Sequence, residues 1–204
     1  WPWRWRQGQK ELNVPPALGT RLKMELELLF QEKSCVKSIA YLKDWGALVL
    51  LDKEIQNDQD WGSRMDWALR LGITPLTAFI AKSSNSKSIA KRLQLPQKEQ
   101  DLLESSLEFQ EFFSKIYKSN KYLYWKPSDW CIAIEKGQWN PDAVAIAICI
   151  QHPLWKYFFE WLQNWKRIES PIGAKALIEA GWVPGPLLKK ELQRLRFERL
   201  DQLC

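Results

Sequence analysis

The residues best suited to chemistry lie near the end of the chain: Gly185, Lys189 and Lys190, in the run Pro184-Gly185-Pro186-Leu187-Leu188-Lys189-Lys190. Proline at 186 fits the first position of a helix, where its missing N–H costs nothing. A helix opening there offers unpaired backbone N–H groups and the positive end of its dipole, and such an end holds phosphate. Gly185 lets another backbone come close, and the two lysines add charge. Arg194 follows on the same helix. A second basic stretch, residues 82–98, carries Lys87, Lys91 and Arg92 and has no acidic residue. The plainer reading of both stretches is a solvated helical surface whose charges keep it soluble. Both readings stand open on spacing alone.

Other chemistries find less support. Asp58-Gln59-Asp60 matches the Asp-x-Asp pair with which nucleotidyltransferases bind two magnesium ions. It lacks the strand and glycine-rich turn that would present such a pair, so it reads as a solvated acidic loop. His152 is the single histidine, and with no serine or cysteine in a nucleophile motif nearby it makes no triad. A structural role is expected. Cys35, Cys131, Cys149 and Cys204 include no Cys-x-x-Cys pair, which argues against a zinc site and fits reduced cytoplasmic thiols. No metal or cofactor is expected within this chain.

These residues need elements to position them, and every periodic stretch is helical. Leu22, Leu26 and Leu29 or Phe30 give one apolar side to a helix over residues 21–30, with Arg21 and Glu25 four apart. Further helices are expected over 35–45, 61–71, 75–80, 89–93 and 97–117, with Thr74 and Ser88 as caps. Residues 52–60 read as a polar segment, and 118–126 as a polar and aromatic connector. Pro127-Ser128-Asp129 and Asn140-Pro141-Asp142 open two more helices, the second buried on all sides. A tryptophan-rich helix over 154–168 places Trp155, Phe158, Trp161, Leu162 and Trp165 on one face. A short helix over 173–180 stops at Gly181. The last one sets Leu187, Leu188, Leu192, Leu195 and Leu200 on its apolar side. The fold class is all-α.

Composition narrows the partners. The net charge of +6 over 204 residues fits a polyanionic partner, though the excess is modest. Alternating Trp and Arg at residues 1–6 either stack on bases or pack onto a helix. The thirteen tryptophans point to aromatic core packing more than to a stacking platform. The longest apolar run, 143–150, is too short to span a bilayer, so no membrane partner is expected. No signal peptide is visible, and a start without methionine fits a fragment.

The stretch Leu177-Ile178-Glu179-Ala180-Gly181-Trp182-Val183-Pro184-Gly185-Pro186, with the repeated leucines and arginines of residues 192–200, resembles the C-terminal tail of bacterial class II tRNA nucleotidyltransferases. These are the CCA-adding enzymes and the related poly(A) polymerases. Leu18-Gly-Thr-Arg-Leu-Lys-Met-Glu-Leu26 looks like that family's neck helix, and Lys91-Arg92-Leu93-Gln94-Leu95 like its step into the body. The resemblance implies a neck remnant over 1–50, a helical body over 51–168 and a tail over 169–204. These would form an arc gripping the acceptor and T-stem half of tRNA by its backbone, through Lys87, Lys91, Arg92, Gly185, Lys189, Lys190 and Arg194. It implies a parent enzyme whose head, a partner of this region, uses Mg and ATP or CTP. This chain has neither the head's carboxylate pair nor the Glu-Asp-x-x-Arg motif, so it is expected to be inactive alone. The alternative is a helical scaffold that docks a protein. A DNA-binding helix-turn-helix over 177–200 lacks the Arg, Gln and Asn run that would enter a major groove.

Overall fold

The computed structural model describes residues 16–203. The aromatic-basic residues 1–6 and Cys204 lie outside them. Within the described residues there are twelve α-helices and no strand, so the protein is all-α. The helices are α1 (Pro16–Gln31), α2 (Cys35–Asp44), α3 (Lys53–Asn57), α4 (Trp61–Leu71), α5 (Pro75–Ile80), α6 (Ser86–Arg92), α7 (Gln97–Ser119), α8 (Pro127–Lys136), α9 (Pro141–Cys149), α10 (Trp155–Gln163), α11 (Ala174–Glu179) and α12 (Pro186–Leu203). Short 3₁₀ turns occupy Ala47–Leu50, Lys121–Tyr124 and Trp165–Arg167.

The helix starts follow local chemistry. Asn140 accepts a hydrogen bond from the Asp142 amide at 2.9 Å and opens α9. Thr74 and Pro75 take the N-cap and first position of α5 as expected, although the Thr74 side chain makes no capping bond. Ser88 does not cap: α6 starts two residues before it, behind Asn85. The polar segment after residue 51 contains α3, opened by Asp52 accepting from the Glu54 amide at 2.7 Å. Its single buried apolar residue, Ile55, is too sparse a pattern to see in advance. The tryptophan-rich helix is broken at Asn164, where α10 gives way to a 3₁₀ turn, yet Phe158, Trp161 and Trp165 still share the buried side.

Two apolar cores lie side by side. The first gathers Leu26, Ile39 and Leu48 with Leu76, Phe79, Leu93 and Leu103. The second is aromatic: Phe109, Phe113, Trp130, Phe158, Trp161 and Trp165, joined by Leu200 from the last helix. Trp130 stacks on Tyr157 at 4.2 Å between ring centres, so these rings pack against one another. Helix α9 serves both cores. It sends Ala145, Ile146 and Cys149 into the first and Val144, Ala147 and Ile148 into the second. Burial pushes the Cys149 thiol up to about 12, so it is an inert packing group.

Asp58 is a correction. It is buried and ion-paired with the buried Arg64 at 2.6 Å, and its Oδ1 accepts from the Asp60 amide at 3.2 Å. A second Arg64 nitrogen donates to the Phe79 carbonyl at 3.3 Å. The segment is therefore an anchored part of the first core rather than a solvated loop. Because Asp58 faces a guanidinium, Asp58 and Asp60 do not present an open carboxylate pair to a metal. Among the described residues no cluster of three or more His, Cys, Asp or Glu is arranged to hold one.

Candidate nucleic-acid interface

The tail hairpin is built by one stop and one start. Helix α11 ends in a paired motif: the Gly181 amide donates to the Ile178 carbonyl and the Trp182 amide to the Leu177 carbonyl, both at 3.0 Å. Gly181 takes φ +97°, a conformation that disfavours side chains. Helix α12 then opens at Pro186. Its first internal bond runs from the Lys189 amide to the Gly185 carbonyl at 3.2 Å, so the Leu187 and Leu188 amides lie ahead of it. Side chains on a helix lean toward its N-terminus, which swings Lys189 and Lys190 back toward those amides.

Residues 171–190 are exposed apart from Leu177 and Leu188, which close the hairpin. Leu187, expected on the apolar side, is 70% exposed. Leu192 and Leu195 are half-buried, and Leu200 is fully buried in the aromatic core. The hairpin thus stands out from the body on the far end of α12. That helix is moored at its other end. Asp201 accepts from the Ser128 amide at 3.0 Å and its hydroxyl at 2.8 Å, an anion at the start of α8. Arg196 forms two 2.7 Å bonds to Glu135 and a third to the Ile168 carbonyl at 2.7 Å. Glu135 holds the Arg196 guanidinium protonated above its ordinary range.

The seven candidate residues separate into two places and two conditions. Gly185, Lys189 and Lys190 are exposed at the start of α12. Arg194 is exposed on the same helix, but it pairs with Glu191 at 2.6 Å and with Glu198. Its hydrogen bond to Glu191 lowers that carboxyl's pKa and raises its own. Lys87, Lys91 and Arg92 belong to α6, which packs on α5 and α7, whereas α12 packs on α8 and α11. Lys87 pairs with Glu104. Arg92 donates to the Leu51 carbonyl, and to the Leu50 carbonyl at 3.0 Å, holding the end of the 3₁₀ turn there. Lys91 is exposed with no partner among the described residues. Charge alone did not reveal which cations were occupied, because each partner comes from a different element or from one helical turn away.

A third basic place joins Lys82, from the stretch over 82–98, with Lys115 and Lys118, late in α7, which the sequence reading missed. The three line a cleft of about 610 Å³. The available signal was the run from Lys115 to Lys126, which interleaves lysine with tyrosine and tryptophan and contains no acid. No family model, no curated protein and no solved structure matches this chain.

Proposed function

We propose that this chain binds the backbone of a structured RNA, as the tRNA-gripping region of a nucleotidyltransferase that adds nucleotides to tRNA 3′ ends. The observation that carries the reading is the α11–α12 hairpin: an open helix N-terminus with Lys189 and Lys190 exposed beside it and no carboxylate paired to either among the described residues. Such an end meets phosphates rather than base edges, which an A-form stem hides in its deep major groove. Arg194 and Arg92 recede in this picture, since each is already engaged within the fold. The chemistry would belong to a head outside this chain, with its Mg and ATP or CTP, and this chain alone would be inactive.

The test is fluorescence anisotropy with tRNA and with single-stranded RNA of equal charge, over a salt series. Lys189→Glu with Lys190→Glu is expected to weaken tRNA binding at least about tenfold and to flatten the salt slope by about 2. Unchanged affinity overturns the tail's role. A protein-docking scaffold is the second reading, favoured by Val183 at 77% exposure beside the exposed Trp182 and Leu187. Apolar docking holds or strengthens as salt rises, whereas phosphate binding falls steeply.

A further inference from the structure

The cleft on α7 has a composition suited to one kind of ligand. Lys82, Lys115 and Lys118 line it, are exposed, and pair with no carboxylate among the described residues. Of the two carboxylates in its wall, Glu54 is occupied, accepting from the Ser84 amide at 2.7 Å and its hydroxyl at 2.9 Å. Glu111 alone is left against the three ammonium groups. Ser114 adds a directed donor. The His152 ring accepts at Nδ1 from the Leu154 amide at 3.2 Å, so its proton sits on Nε2, 3.3 Å from Ser114 Oγ. Ser114 Oγ thus sits beside that Nε2 and on the lining of the cleft, where its hydroxyl is placed to bond a ligand. The same tautomer rules out a base: an Nε2 that already carries a proton cannot draw one from the serine. What remains is a set of cations and hydroxyl donors around a concave space, the complement of a phosphoryl oxyanion.

We propose that this cleft is a phosphate-binding site, in which Lys82, Lys115 and Lys118 supply charge and Ser114 a hydrogen bond. The phosphate comes either from a small phosphorylated molecule or from an RNA backbone. The cleft's lining includes no residue of α11 or α12.

His152 is the only histidine, so its imidazole signals in an NMR spectrum report on Ser114 without assignment. Pyrophosphate, ATP and a short single-stranded RNA would each be titrated, following His152 signals and heats of binding. Saturable pyrophosphate binding that shifts the His152 resonances is the expected result. Lys115→Gln with Lys118→Gln should weaken it at least tenfold, and Ser114→Ala should abolish the shift. Lys98→Gln, exposed on the same helix but outside the cleft, should keep wild-type affinity. RNA that displaces pyrophosphate identifies a backbone source; tighter ATP binding without RNA competition identifies a small molecule. Absence of saturable binding by all three ligands overturns the site. So does a fall in melting temperature in the lysine variants with unchanged affinity, which would mean the lysines only offset the negative end of the α7 dipole.

Discussion

Arg64 and Asp58 illustrate how one pair changes the meaning of a motif. An arginine on an amphipathic helix and an acid in a polar segment each look solvated, and only their approach across six residues of chain shows otherwise. Removing one charge leaves the other buried, which costs about 3–5 kcal/mol. Asp58→Asn should lower the urea unfolding free energy by roughly that amount, while Asp58→Leu with Arg64→Met recovers most of the loss. His152 gives a pH signature. Burial holds its pKa down to about 4 from the usual 6.5, with Lys82 acting in the same direction and a hydrogen bond that the ring donates to the Gln110 backbone opposing. The unfolded chain gains its proton below about 6.5 and the folded chain only near 4, so stability is complete above pH 6.5 and falls as pH drops through that window. Between pH 7 and 4.5 the wild type should lose about 2–3 kcal/mol more than His152→Asn, as read by urea titration at each pH. A structural role for this histidine was legible from its solitude; its link to Ser114 was not, because 38 residues separate the two.

At the scale of elements, the chain announced its helices through punctuation. Proline at 75, 127, 141 and 186 each begins one, and Gly72 and Gly181 each follow one. Where glycine is missing the reading was weaker. Gln94 and Gln151 hold φ +55° and +54° at helix ends, and each side chain fastens a distant helix, through Thr20 at 2.7 Å and Ser63 at 2.8 Å. Tertiary bonds of this kind leave no local trace. The leucine spacing of α12 likewise gave the helix but not its depth, since the hairpin has room for Leu188 and none for Leu187. The mooring of α12 makes a prediction of its own. Arg196→Ala removes charged bonds to Glu135 and should cost about 2 kcal/mol. It should also expose residues 166–173 to limited proteolysis while the cut rate within α9 stays unchanged.

Across the whole molecule, α9 is the helix common to both cores, which predicts that they unfold as one unit. Ile146 and Ile148 are both fully buried, one in each core. Ile146→Ala and Ile148→Ala should each shift a single unfolding transition by about 2–4 kcal/mol; two separated transitions in calorimetry would contradict this. The all-round apolar character of α9 showed in advance that it would be buried. Its place between two cores did not, since that depends on which helices flank it.

Gly19 carries a consequence of a different kind. A methyl group there would overlap the carbonyl oxygen of Arg92, whose guanidinium is meanwhile fastened to Leu50 and Leu51. Helix α1 thus rests its bare backbone on a segment that has no freedom to retreat. In any divergent descendant that keeps this packing, position 19 admits only glycine, whatever the protein has come to bind. Gly19→Ala therefore forces α1 and the Arg92 backbone apart, a packing constraint that holds whatever the surface binds.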